Sequence, residues 1–189
     1  MKVYDTNFIK DQFPALKRKV WDKKLVYLDS AASMQKPKRV LDAISKSYSF
    51  NYSNVHRGLH KLSEEATANY EGSRIKVAKF INCSENEVIF TSGATAALNL
   101  VAYSWGMKNL SAGDEIIITI AEHHANIVPW QIIAEQKNVK IKAAHVDPNS
   151  EFNPDIIKDL VTDKTKIINA RYISFPCAKF NILEKANIG

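Results

Sequence analysis

From Val88 onward the chain alternates short apolar runs with stretches of helical period, and that alternation admits few folds. Val88–Thr91, Glu115–Ile120, Lys140–Val146 and Lys166–Ser174 read as strands. Between the first two, Leu98, Val101, Ala102 and Trp105 mark one helix face, and Trp130, Ile133 and Ala134 mark the next. Asn153 and Pro154 form a cap followed by a first-turn proline, opening a helix with Ile156, Ile157, Leu160 and Val161 inward. Lys140 and Lys142 alternate outward against Val139, Ile141 and Ala143, the pattern of an edge strand. Strand, helix, strand repeated in this way predicts an α/β domain with a largely parallel sheet.

The first half is helical in character. A short helix is expected around Phe8 and Ile9, terminated by Pro14, and an extended piece at Val26–Leu28. Pro37 suits the first turn of a helix whose Val40, Leu41, Ile44 and Tyr48 share a face and should pack on a core. Ser63 is a candidate cap for a second, longer helix, with Glu64 and Glu65 in its first turn and Tyr70, Val77 and Ile81 as its apolar stripe.

Composition excludes several classes. With 189 residues, 46% apolar and 24% charged, the chain has the mixture of a soluble globular domain. Its longest apolar stretch, Ile116–Ala121, is interrupted by Thr119 and far short of the roughly 20 residues of a membrane helix, and the N-terminus lacks the apolar run of a secretory signal. A cytoplasmic address follows by default. Cys83 and Cys177 are too few for a four-ligand zinc motif or a disulfide framework and are read as reduced thiols. The net charge of +6 comes from lysines scattered among acids, so no nucleic-acid-binding face is expected.

Three polar clusters could carry chemistry. Thr91-Ser92-Gly93-Ala94-Thr95 joins a strand to a helix, where unpaired amides, the helix dipole and the Thr95 hydroxyl suit a phosphate; a plain threonine cap is the alternative. Ala121-Glu122-His123-His124-Ala125-Asn126 lies at the next strand-to-helix turn, at the carboxyl end where open α/β sheets bind ligands. Its histidines could coordinate metal, stack on a ring or cap the helix; adjacent histidines point opposite ways, which argues against a shared metal. Val55-His56-Arg57-Gly58-Leu59-His60 offers an arginine suited to a carboxylate, or is a solvated loop.

Together with Tyr27-Leu28-Asp29-Ser30-Ala31-Ala32-Ser33, these clusters resemble the SUF-type cysteine desulfurase and selenocysteine lyase group. The matching stretches are YLDSAASMQKP, NVHRGLH, LSEEAT, EVIFTSGATAALNLVAYSWG, AGDEIIIT and AEHHANIVPWQ, spread over Phe8–Ser174 and covering less than half of a full family member. The resemblance implies a fold-type-I pyridoxal phosphate enzyme that takes sulfur from L-cysteine, leaving alanine and a persulfide for iron–sulfur cluster assembly. It implies that Ala94 and Thr95 bind the cofactor phosphate and that His123 stacks on the pyridine ring. It places His56 and Arg57 near the active-site mouth and the loop Ser30, Ala31 and Ala32 on the substrate side. The fold expected from it is an incomplete large domain, with a mostly parallel sheet and N-terminal helices.

Such enzymes also need a Schiff-base lysine, an aspartate on the pyridinium nitrogen and a mobile cysteine. No residue here matches those positions. The family pattern His-Val-Ser-Asn-Val-Leu-Gly meets Tyr172-Ile173-Ser174-Phe175-Pro176-Cys177-Ala178, so the match stops at Phe175; Cys177, Lys179 and Lys185 are not nominated for any role. Residues 1–174 are thus expected to be the front part of a pyridoxal-phosphate-dependent domain, with 175–189 a divergent tail and no catalytic residue of its own. The chain alone is expected to be truncated and inactive, associating with a second copy or a missing C-terminal half, and with a sulfur-acceptor protein as the family partner. The alternative from another class is a noncatalytic protein that contacts sulfur-transfer partners or a full-length relative; another class-V aminotransferase relative explains NVHRGLH and EHHANIVPW less well.

Overall fold

Asp5 starts the first helix, α1 (Thr6–Asp11), its carboxylate accepting the amides of Asn7 and Phe8 at 3.0 and 3.1 Å. The computed structural model describes residues 5–145 and 155–170. The chain divides into two compact units, Met1–Ile89 and Phe90–Gly189.

In the first unit, Pro14 ends α1 as expected and opens a 3₁₀ turn, Pro14–Lys17. A small hairpin follows that the sequence did not announce: β1 (Lys19–Val20) pairs antiparallel with β2 (Lys23–Lys24). Its two-residue turn places Trp21 at φ 49° and Asp22 at φ 60°. Such turns ordinarily use Asn-Gly, because a left-handed backbone is costly for a residue with a bulky Cβ substituent. Trp21 is 91% exposed at the tip, so no packing offsets that cost.

Helix α2 (Lys38–Lys46) begins one residue later than expected, with Pro37 extended at the cap position. Its stripe of Val40, Leu41, Ile44 and Tyr48 is exposed rather than packed on a core. The reason is that the segment meets the next helix through its C-terminal π turn, Ser47–Asn51, where Asn51 donates to Glu65 at 2.7 Å. Helix α3 (Lys61–Ile81) is capped at His60, not Ser63. Ser63 sits inside the first turn and reaches backward, accepting the Gly58 amide and donating to the Asn54 carbonyl. Of the expected stripe, Tyr70 is half-buried while Val77 and Ile81 are exposed; Ser63 and Ala78 are the buried positions.

Asn82, at φ 58°, ends α3, and a capping box between Ser84 and Glu87 closes a 3₁₀ turn, Glu85–Glu87. The strand expected at Val88–Thr91 does not form. A strand requires a partner ladder, none is paired with this segment among the described residues, and the Val88 carbonyl is taken by the Arg74 guanidinium.

The second unit opens with α4 (Ala94–Val101), a π turn (Ala102–Gly106) and α5 (Met107–Asn109). A π turn adds a residue to the helical circuit, so the buried face shifts: Ala102 and Gly106 point inward while Val101 and Trp105 remain partly exposed, contrary to the single stripe expected. A Cβ on Gly106 would come within 3.1 Å of Trp130, which is why this position has no side chain.

Three parallel strands follow: β3 (Glu115–Thr119), β4 (Lys140–Ala144) and β5 (Thr165–Asn169), in the order β4-β3-β5. The central strand is buried along its whole length, and its alternation divides the core. Ile116 and Ile118 pack with Ala102, Leu110, Val139 and the Trp130, Ile133 and Ala134 face of α6 (Val128–Lys137), as that face predicted. Ile117 turns the other way, onto Ala144 and onto Ile157 of α7 (Asp155–Lys158), with Ile156 and Leu160 beside it; Val161 is exposed rather than inward.

The edge position of β4 is observed, but its faces are not those expected. Lys142 is drawn inward to Glu115 at 2.7 Å and to the Leu160 carbonyl at 3.0 Å, leaving Ile141 and Ala143 exposed. Asn153, Pro154 and the 171–174 end of the last expected strand lie outside the described residues, as do the tail and Cys177. Among the described residues, no helix is long and apolar enough to cross a membrane.

Candidate functional site

In the second unit, the turn before α4 meets the requirements of an anion site. Gly93 precedes the helix and no side chain caps it, so the amides of the first turn keep their donor capacity directed outward. Thr91 donates its hydroxyl to the Gly93 carbonyl at 3.0 Å, closing the turn from the other side, and Asn99 donates to the Thr95 carbonyl at 2.8 Å. Residues 91–95 are all exposed, and a Cβ placed on Gly93 would meet nothing within 4 Å. The donor set, first-turn amides of Ala94 and Thr95 plus a hydroxyl, fits a phosphate.

His123 follows the carboxyl end of β3, at the start of a 3₁₀ turn, His124–Asn126, against which α4 packs. Its Nδ1 accepts the Ala125 amide at 3.1 Å, so the neutral ring carries its proton on Nε2. Capping and ring stacking are therefore compatible, because the hydrogen bond uses the ring edge and leaves the exposed faces unspent. His124 stands edge-on at 6.3 Å between centroids, and no group of three metal-ligating side chains occurs among the described residues.

The residues beneath this turn gave no signal in the sequence beyond their polarity. Glu122 and Asn126 are buried, 9% and 5% exposed. Thr119 donates to Glu122 Oε1 at 2.9 Å, Asn126 donates to Glu122 Oε2 at 2.7 Å, and Asn169 of β5 donates to the Asn126 carbonyl at 3.0 Å.

In the first unit, Ser30, Ala31 and Ala32 form an exposed turn closed by the Ser33 amide on the Asp29 carbonyl at 3.0 Å and by the Tyr27 hydroxyl on Ser33. The loop carrying His56 and Arg57 is not a free solvated loop. It is tied down along one line of α3: Ser63 holds Asn54 and Gly58, Thr67 accepts the His56 amide at 2.9 Å, and Glu71 Oε1 lies 2.7 Å from His56 Nε2. These anchors are spaced by four, a periodicity visible in the sequence but polar, and hence outside an apolar stripe.

Arg74 donates to Glu71 at 3.0 Å and lies over the Tyr70 ring, against whose plane the His56 ring stands edge-on. The His56 hydrogen bond, joined by Arg74 and opposed by partial desolvation, holds the Glu71 carboxyl below its ordinary range. His56 adopts φ 70° and is spent on this anchorage, while Arg57 beside it remains exposed.

Residues 26–175 match the family model described as Aminotransferase class-V. The chain belongs to the class-V aminotransferase family. It is 47% identical over 167 residues to a Synechocystis protein named "Probable cysteine desulfurase", covering 88% of this chain and 40% of that one. The crystal structure of the cysteine desulfurase CsdA (S-sulfonic acid) from Escherichia coli is similar at a TM-score of 0.73 and 36% identity, over 88% of this chain and 41% of that one. The apo cysteine desulfurase of Thermococcus onnurineus NA1 aligns at a TM-score of 0.80 and 29% identity, over 90% and 40%. This class-V aminotransferase chain therefore spans about 40% of the length of the cysteine desulfurases it matches, and has their α/β fold over that part.

Proposed function

We propose that this chain supplies the phosphate-and-ring side of a cysteine desulfurase site that uses pyridoxal phosphate and L-cysteine. The observation that carries it is the uncapped, exposed start of α4 with Thr95, on a helix packed against the turn that begins at His123. Similarity to the cysteine desulfurases of Synechocystis and E. coli supports the substrate assignment.

The amides of Ala94 and Thr95 and the Thr95 hydroxyl hold the phosphate, and the His123 face lies on the ring with its proton kept at Nε2. Arg57, exposed beside the anchored His56, is assigned to the substrate carboxylate, and Ser30, Ala31 and Ala32 to the substrate side. When bound, the cofactor supplies the electron-withdrawing ring that carbon–sulfur cleavage requires. No residue of this chain is assigned to the Schiff base or to accepting sulfur, so the chain alone binds the cofactor noncovalently and does not turn over. A noncatalytic role, contacting sulfur-transfer partners or a full-length relative, is favoured by exposed apolar side chains such as Leu59, Phe80 and Ile89.

Titration of the purified chain with pyridoxal phosphate, followed by absorbance, tests the cofactor assignment. Thr95→Ala should weaken binding about tenfold, the loss of one hydrogen bond to a charged group. No binding by the unaltered chain overturns the cofactor assignment and favours the noncatalytic role. Alanine from L-cysteine, with sulfide released by an added thiol reductant and no second chain present, overturns the expected inactivity.

A further inference from the structure

We propose that Glu122 is a positioning residue for His123, acting through a buried clamp across the turn that carries it. This rests on the cofactor reading above and adds to it the group that sets how the imidazole is presented.

Glu122 is a carboxylate with about nine-tenths of its surface removed from water, a placement that is costly unless its oxygens are hydrogen-bonded. Both are. Oε1 receives the hydroxyl of Thr119, the last residue of β3, and Oε2 receives the side-chain amide of Asn126, the last residue of the 3₁₀ turn. One side chain thus joins the two ends of the segment from which His123 and His124 project.

The clamp is fastened to the sheet on both sides. The Ile120 amide donates to the Ala144 carbonyl of β4 at 3.0 Å, and Asn169 of β5 donates to the Asn126 carbonyl at 3.0 Å. Within it, the Asn126 amide donates to the His123 carbonyl at 2.7 Å, which fixes the backbone on which the Ala125 amide reaches His123 Nδ1.

Asn126 shows which contact dominates. Its Oδ1 is buried with no hydrogen-bond partner among the described residues, an arrangement that costs free energy. Turning the amide over would give Oδ1 a new environment but would set it against the Glu122 carboxylate. The amide is therefore oriented for Glu122 at the expense of its own oxygen. Buried polar atoms satisfied at a neighbour's expense mark a turn that is held in one geometry rather than merely filled.

The inference predicts a tautomer, which can be read without any cofactor. In the full chain labelled with ¹⁵N-histidine, His123, identified by its loss in His123→Gln, should be the Nε2–H tautomer when neutral. Glu122→Ala should release the turn and give a mixture of tautomers. Glu122→Gln should restore the single tautomer, because glutamine accepts from Thr119 and donates to Asn126 once that amide turns over. Thr119→Val, nearly isosteric, should show the Glu122→Ala behaviour more weakly and serves if Glu122→Ala does not fold. An unchanged His123 tautomer in folded Glu122→Ala, or in Thr119→Val where Glu122→Ala fails to fold, overturns the proposal.

Pyridoxal phosphate affinity provides the second arm. Glu122→Ala should weaken binding about tenfold when His123 is present and have no further effect in a His123→Ala background, the non-additivity of residues that act through one another. Equal loss in both backgrounds overturns the positioning role. If His123→Ala alone leaves affinity unchanged, the ring-stacking assignment fails, and the tautomer measurement still decides whether Glu122 sets the imidazole.

Discussion

Ile133 and Ile132 are adjacent on α6, and replacing each by alanine should separate what burial contributes from what helix propensity contributes. Ile133 is fully buried among Ala102, Leu110, Ile116, Ile118 and Trp130, whereas Ile132 is 36% exposed. Ile→Ala removes three carbons, about 2.4 kcal/mol at ~0.8 kcal/mol per buried methylene. At Ile133 a residual cavity adds to this, because a sheet and two helices cannot close on it, giving about 3–4 kcal/mol. At Ile132 roughly two-thirds of the transfer applies and no cavity persists, giving about 1.5 kcal/mol. The gain in helix propensity is the same at both sites and cancels. The difference of about 2 kcal/mol should appear in urea unfolding, followed by the fluorescence of buried Trp130, as midpoints separated by about 1 M at a slope near 2 kcal/mol/M. If Ile132→Ala unfolds at or below the midpoint of Ile133→Ala, the core is not where the structure places it.

Trp21→Asn with Asp22→Gly should relieve two left-handed non-glycine residues and raise stability by about 1–2 kcal/mol, seen as a higher thermal midpoint; an unchanged or lower midpoint argues against the strain. The Glu115 carboxyl is held below its ordinary range by hydrogen bonds from Lys142 and Thr162, against the opposing effect of burial. A depressed folded value means that the stabilisation is present above the unfolded value of 4.5 and is lost as pH falls through the folded one. Glu115→Gln should therefore flatten the stability profile in that acid window, and an unaltered profile in acid unfolding refutes the pairing. With Leu59, Phe80 and Ile89 exposed, the purified chain should self-associate in sedimentation velocity, and Phe80→Glu should shift it toward monomer; a monodisperse unaltered monomer contradicts this.

Local signals with short-range causes were legible in the sequence. The α6 face, the β3 strand and the edge position of β4 follow from periodicity, and the turn before α4 from one glycine between an apolar run and a helix. What was not legible depends on partners distant in sequence. Val88–Thr91 has strand composition but no ladder among the described residues, and Lys142 looks solvent-facing until Glu115 is placed across from it. Ser63 has the composition of a cap, yet spends its hydroxyl on a loop upstream. Glu122 and Asn126 sit beside two histidines that draw attention in any reading by residue type, and only burial distinguishes them. The hairpin at Trp21 was hidden for the opposite reason: its turn residues are unsuited to the turn they make.

The strand order β4-β3-β5 also sets a schedule for synthesis. The central strand is the first of the three to leave the ribosome, and its two neighbours follow on separate occasions. At ~5–20 residues per second, the stretch from Glu115 to Asn169 takes about 3–10 s to emerge. Throughout that interval Ile116, Ile117 and Ile118 have at most one side of their ladder filled. An unpaired run of three isoleucines is a template for the same run on a neighbouring nascent chain. The yield of native protein should accordingly depend on how widely ribosomes are spaced on the message, and slowing initiation while leaving elongation unchanged should increase it.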